Sequence, residues 1–224
     1  MSLQDLITLY EEMKQKYGKE TYKHISQLFK NAKELHKTMA INKGLQDTEQ
    51  SWRAFKGKNL EKIIEYIIKD EVEKLGFNII NGNKLERSTK LSTELETIKR
   101  NLCIDYGEFG FHLPDVDMVI YNPINLKVIA VLSSKVTLRE RIAQTGYWKL
   151  KLAQSNITKH IKVFFITLDE DETLSFKKPC KKGRAICEID LDGCYILTQN
   201  AFQASNKVKS FEKFIEDLRK MQMN

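Results

Sequence analysis

The chain of 224 residues has only four cysteines, no apolar run approaching the ~20 residues that span a bilayer, and no glycine-rich loop of the kind that cradles nucleotide phosphates. The first scarcity argues against a disulfide framework. Cys180, Cys187 and Cys194 are evenly spaced, six residues between neighbours, whereas zinc sites usually present close C-x-x-C pairs, so these are read as reduced structural thiols. The second predicts no transmembrane helix and no membrane partner. The start, Met1-Ser2-Leu3-Gln4-Asp5-Leu6, lacks the basic segment and apolar core of a secretory signal, which leads to the expectation of an intracellular protein. None of the four histidines pairs with a serine or cysteine in a recognisable hydrolase pattern, and no internal repeat or low-complexity linker is present.

What is there belongs to a globular domain: 42% hydrophobic and 30% charged residues suffice for a core and a solvated surface, and the length allows one large domain without disulfides or a structural metal. The 37 basic against 30 acidic side chains leave a formal charge of +7, which is compatible with a polyanionic partner without requiring one. Apolar residues recur at helical spacing in 3–17 (Leu3, Leu6, Ile7, Tyr10, Met13) and in 22–39 (Ile25, Leu28, Phe29, Ala32, Leu35), predicting two amphipathic helices joined near Gly18. A stronger helix is expected over 58–75, stopped by Gly76. A polar helix is expected over 85–100, another over 137–153 and a last one over 210–221.

Strands are predicted at 77–80, 114–121, 128–135, 162–168 and 194–198, with the turn residues Asn122-Pro123-Ile124-Asn125 joining the second and third as a hairpin. A strand followed by a helix and another strand crosses over in parallel, so the fold class is α/β, a mixed central sheet flanked by helices. Residues 58–168 hold its core. Residues 1–50 are expected to form a helical arm, bounded near Gln50-Ser51-Trp52, and 51–224 the sheet-bearing domain.

The densest chemistry lies between Pro114 and Arg141. Asp115 and Asp117 stand two residues apart at one strand, hence on one face, and Lys135 closes the next strand, Val128-Ile129-Ala130-Val131-Leu132-Ser133-Ser134-Lys135. Acids and an ammonium at one sheet edge are what phosphodiester hydrolysis uses, since a divalent metal, an activated water and a cation must meet there. Beyond the lysine, Arg139-Glu140-Arg141 offers two guanidinium forks for guanine edges and a carboxylate for cytosine N4, enough to read adjacent G·C pairs in a major groove. Gln144 follows on the same helix, and Lys181 and Lys182 sit in a basic loop suited to phosphates. Taken one at a time, each of these groups could equally be a solvated turn, strand end or charged face.

Taken together, Pro114-Asp115 and Lys135 twenty positions on resemble the PD-(D/E)xK nuclease superfamily and, within it, the type II restriction endonucleases. The resemblance covers mainly residues 50–168. It departs at Ser133, which stands where the family usually has a second carboxylate. Gly57-Lys58-Asn59-Leu60-Glu61 resembles the superfamily's glycine-to-glutamate motif and makes Glu61 the candidate replacement, with Glu65 one turn on in reserve. The arginine-acid-arginine triplet resembles the recognition motif of enzymes that cut CCGG or related sites. The resemblance implies Mg²⁺ held by Asp115 and Glu61, with Asp117 in support, Lys135 on the nucleophile, Ser133 in the site, and double-stranded DNA as substrate. A palindromic target implies a homodimer. A structure-directed or repair nuclease, which would not need the triplet, and a silent DNA-binding module, suggested by Ser133, are the alternatives.

Overall fold

The computed structural model describes residues 1–138, 141–198 and 200–222. It opens with α1 (Leu3–Tyr17), started by a reciprocal cap in which the Asp5 amide donates to Ser2 Oγ and the Ser2 amide donates to the Asp5 carboxylate. A 3₁₀ stretch, Gly18–His24, turns the chain into α2 (Ile25–Asn42). Next comes α3, Thr48–Lys74, whose 27 residues make a rod about 40 Å long. The sequence predicts a helix from residue 58, but Asp47 caps this one ten residues earlier by accepting from the Gln50 amide. Trp52 and Lys56 are already buried, so α3 runs straight through the boundary drawn at residue 50. Leu6, Tyr10, Leu28 and Phe29 of the arm share one apolar cluster with Met118, Leu132 and Phe164 of the sheet. The arm is packed onto one face of the sheet rather than standing off from it.

The remainder is β1 (Asn78–Asn81), α4 (Gly82–Arg87), α5 (Thr93–Leu102), β2 (Ile104–Asp105), β3 (Phe111–His112), β4 (Met118–Tyr121), β5 (Val128–Lys135), α6 (Arg141–Ala153), β6 (Lys162–Thr167), α7 (Lys182–Ile189), β7 (Gly193–Ile196), β8 (Val208–Ser210) and α8 (Lys213–Gln222). The helix predicted over 85–100 is in fact two, α4 and α5. Ser88 leaves α4 in extended conformation, and Ser92 caps a fresh start by accepting from the Leu95 amide. The lysines expected in a basic loop lie at the head of α7, which the sequence reading missed along with β8 and the small β2–β3 hairpin.

Six strands form one mixed sheet in the order β1-β4-β5-β6-β7-β8, antiparallel from β1 to β5 and parallel from β5 to β8. Both faces are covered, so the central strands are buried on each side: Ala130 and Leu132 of β5 face the layer of α1, α2, α3 and α8, while Val131 faces the layer of α5, α6 and α7. Cys187 and Cys194 are buried together in that second layer, and desolvation followed by their mutual hydrogen bond pushes the Cys194 thiol well up. No described helix is long and apolar enough to cross a membrane.

Arg184 on α7 is wholly buried. Its guanidinium meets Glu188 at 2.8 Å and the carbonyls of Leu174 and Gln203, tying α7 to the loops on either side. Removing it strands a carboxylate and two carbonyls, so Arg184→Leu should cost about 3 kcal/mol of stability, read as a lowered urea midpoint. An unchanged midpoint would show that solvent reaches those groups.

Candidate active site

The site sits where the antiparallel and parallel halves of the sheet meet, at the C-terminal end of β5. Asp117 lies one residue before β4 and is clasped from both sides by backbone: its amide donates to the Leu132 carbonyl of β5, and its own carbonyl accepts from Gly82 at the end of β1, each at 2.9 Å. Its buried carboxylate receives the Ser134 amide at 2.6 Å and the Ser134 hydroxyl at 3.2 Å. Lys135 completes the set, its Nζ lying 2.9 and 2.8 Å from the two Asp117 oxygens.

Glu61 enters from α3. It is half-buried beside Asp117, and burial, followed by repulsion from the Asp117 carboxylate, raises its pKa, with Lys135 pulling the other way. Two carboxylates held that close in a desolvated corner are a hard, all-oxygen donor pair for a divalent cation. Among the described residues no group of three or more His, Cys, Asp or Glu side chains is arranged to hold a metal ion together. Mg²⁺ fits such a pair, because it is bound through one or two carboxylates and completes its octahedron with water and phosphate oxygens. Glu65, the reserve acid, is also raised by burial, against the pull of Lys69 and then of Asn81 at the end of β1.

The two aspartates stand in different surroundings. Asp115 is exposed, and its carboxylate accepts from Gln144 Nε2 at 2.8 Å, while Gln144 Oε1 accepts from Arg141 at 3.1 Å. The reason is where strand pairing begins: the ladder with β5 reaches back to the Asp117 amide and no further, so the chain from Pro114 to Val116 stays outside the sheet. Asp115 therefore faces α6, and Asp117 faces the lysine.

A cavity of about 250 Å³ gathers Asp115, Asp117, Ser133, Lys135, Arg141, Gln144 and Thr145, so every predicted site residue in that stretch lines one cleft, apart from Arg139 and Glu140, which lie outside the described residues. Ser133 is buried there. Lys181 and Lys182 do not line this cleft; the Lys181 ammonium donates to the Asp171 carbonyl at 2.9 Å, and Lys182 is exposed at the head of α7.

Two supports escaped the sequence reading. Ser134, hidden between Ser133 and Lys135, orients Asp117 through two hydrogen bonds. Gly82 allows β1 to approach it: a Cβ there would lie 1.9 Å from the Val116 carbonyl oxygen. Only glycine fits, and the signal was the Asn81-Gly82-Asn83 turn. Gly82→Ala should destabilise the fold by about 1–3 kcal/mol and depress cleavage by displacing Asp117. A stable variant with unaltered cleavage would detach β1 from the site.

The family model described as BsaWI restriction endonuclease type 2 matches residues 94–217. The chain belongs to the type II restriction endonucleases. Curated proteins named as type II restriction enzymes are similar to this endonuclease: MjaVIP of Methanocaldococcus jannaschii is 40% identical over 184 residues, 80% of this chain and 78% of its own. HpyAORF263P of Helicobacter pylori is 46% identical over 121 residues, 54% of this chain and 62% of its own. A solved complex titled restriction endonuclease PspGI with substrate DNA shares the fold, with a TM-score of 0.55 and 14% identity, covering 97% of this endonuclease and 93% of that chain. The family makes this protein a site-specific deoxyribonuclease.

Proposed function

We propose that this endonuclease hydrolyses double-stranded DNA in a Mg²⁺-dependent reaction, with Asp117 and Glu61 as the protein ligands of the ion and Lys135 beside the attacking water. The observation that carries the reading is the meeting of two carboxylates and one ammonium at the end of β5. The ion's contribution would be to neutralise the non-bridging oxygens of the scissile phosphate and to acidify water. The chain's own groups do the rest. Ser134 holds Asp117 in one rotamer. Lys135, already fixed by Asp117, is placed to orient the nucleophile and to stabilise developing negative charge.

Arg141 lines the same cleft and is braced by Gln144, which Asp115 holds in turn. That relay supports a base-reading role for Arg141 at a short G·C-containing palindrome of the CCGG type, with Arg139 and Glu140 as its partners in sequence. A bidentate guanidinium on guanine discriminates best when its own rotamer is held beforehand. Two copies of the site, hence a homodimer, would match the symmetry of such a target.

Digestion of a sequenced plasmid with and without Mg²⁺ tests the whole reading. Discrete fragments that vanish with a chelator, and whose ends map to one G·C-containing palindrome, are expected. Fragments that persist without divalent cation would remove the metal assignment. Ends at an A·T-only site would remove the arginine assignment.

A further inference from the structure

A cleft of about 730 Å³ lies between the helical arm and the sheet, and its lining shares Lys135 and Arg141 with the catalytic cavity. Its other cations come from two helices: Lys30 and Lys33 from α2, Arg53 and Lys56 from α3. They are not equivalent. Lys33 is paired with Glu49 at 2.9 Å, and Lys56 is held by both oxygens of Glu170 at 2.6 and 2.7 Å. Lys30 and Arg53 are exposed and make no close ion pair among the described residues, although Lys33 and, from farther off, Arg53 lower the pKa of Glu49. The floor is Phe29 and Trp52, which are buried and supply no counter-charge.

We propose that this cleft is a phosphate-gripping extension of the active site, in which Lys30 and Arg53 hold the backbone of duplex DNA outside the bases that are read. The proposal rests on the DNA substrate given above. Exposed cations outside close ion pairs, converging on one trench, concentrate positive potential where a polyanion can neutralise it. The trench reaches the cutting site through shared walls, so one duplex can occupy both. Arg53 and Glu61 also belong to the same helix, eight residues and hence about 12 Å apart along its axis. Duplex DNA covers that span in roughly three to four base pairs at 3.4 Å each. The arm that lacked a role in the sequence would thus grip the flank and, through α3, carry Glu61 to the scissile phosphate in a fixed register.

The test is equilibrium binding of the full-length protein to duplexes containing the cleaved site, in Ca²⁺ to prevent turnover, at several salt concentrations and with flanks of about two or about ten base pairs. For the Lys30→Ala/Arg53→Ala double variant, the slope of log Kd against log salt should fall by about 2, so that wild type loses roughly tenfold more affinity than the variant between 50 and 200 mM salt. Shortening the flanks should weaken wild type and leave the variant indifferent, and the ratio of cognate to non-cognate affinity should be the same in both. Both positions are exposed on helices that tolerate alanine, and an unchanged melting temperature would certify the fold. Glu49→Gln, which frees Lys33, should move the slope the opposite way. Slopes and flank dependence equal to wild type would overturn the proposal, as would a loss confined to the cognate sequence, which would make these residues base readers. If wild type binds no duplex at all, the DNA reading itself fails and takes this one with it.

Discussion

Asp117→Asn should abolish cleavage, lowering the rate on the order of 10³-fold or more, while DNA binding in the absence of turnover survives. The substitution keeps an oxygen for the Ser134 amide but removes the negative charge that holds Lys135 and that a cation needs. Asp115→Asn should behave differently. Its carboxylate touches Gln144 rather than the lysine, so the variant retains a hydrogen-bond acceptor for the α6 relay and loses cleavage only several-fold. Single-turnover rates of the two variants on one duplex decide between them. A dead Asp115→Asn enzyme beside an active Asp117→Asn enzyme would reverse the assignment and return the first aspartate to the metal.

Glu61→Gln should be the second severe loss, with a signature that a merely structural role would not give. Burial and, after it, the neighbouring Asp117 carboxylate disfavour ionised Glu61 in the cation-free protein. An acid whose folded pKa lies above its unfolded value destabilises the fold once pH exceeds the unfolded value, because the unfolded chain ionises it more readily. Replacing it with glutamine removes that penalty, so the cation-free variant should melt at or above the wild-type temperature near neutral pH. Divalent cation should then stabilise wild type, by about 2.7 kcal/mol at a hundredfold excess over Kd, and leave Glu61→Gln unmoved. A full cation-induced shift in the variant would pass the ligand role to Glu65 or another acid.

Much of this was legible along the chain. The strands β4, β5 and β6 stand where apolar runs mark them, because a strand buried on both faces must be continuous in hydrophobic residues. The helices that cover them follow from 3.6-residue spacing. Boundaries were less visible where a single hydrogen bond decides them: Asp47 starts α3 early, and Ser92 restarts the chain as α5. The short α7 escaped because the stretch around Lys181-Lys182-Gly183-Arg184 reads as solvated charge, whereas Arg184 is fully buried by partners distant in sequence. Lys30 and Arg53 looked like ordinary surface cations until α2 and α3 were placed beside the sheet.

By itself the sequence determined the chemistry available, an acid-rich turn and a lysine closing neighbouring strands, and an α/β scaffold able to carry them, since residue type and periodicity are local properties. The tertiary structure alone decided which acids meet. Asp115 and Asp117 differ in sequence by two positions, but only the second is reached by the β5 ladder. Glu61 arrives from a helix whose packing on the sheet no local pattern specifies. Charge proximity is set by the pairing of distant segments, and so the site became visible only once the sheet had registered its strands.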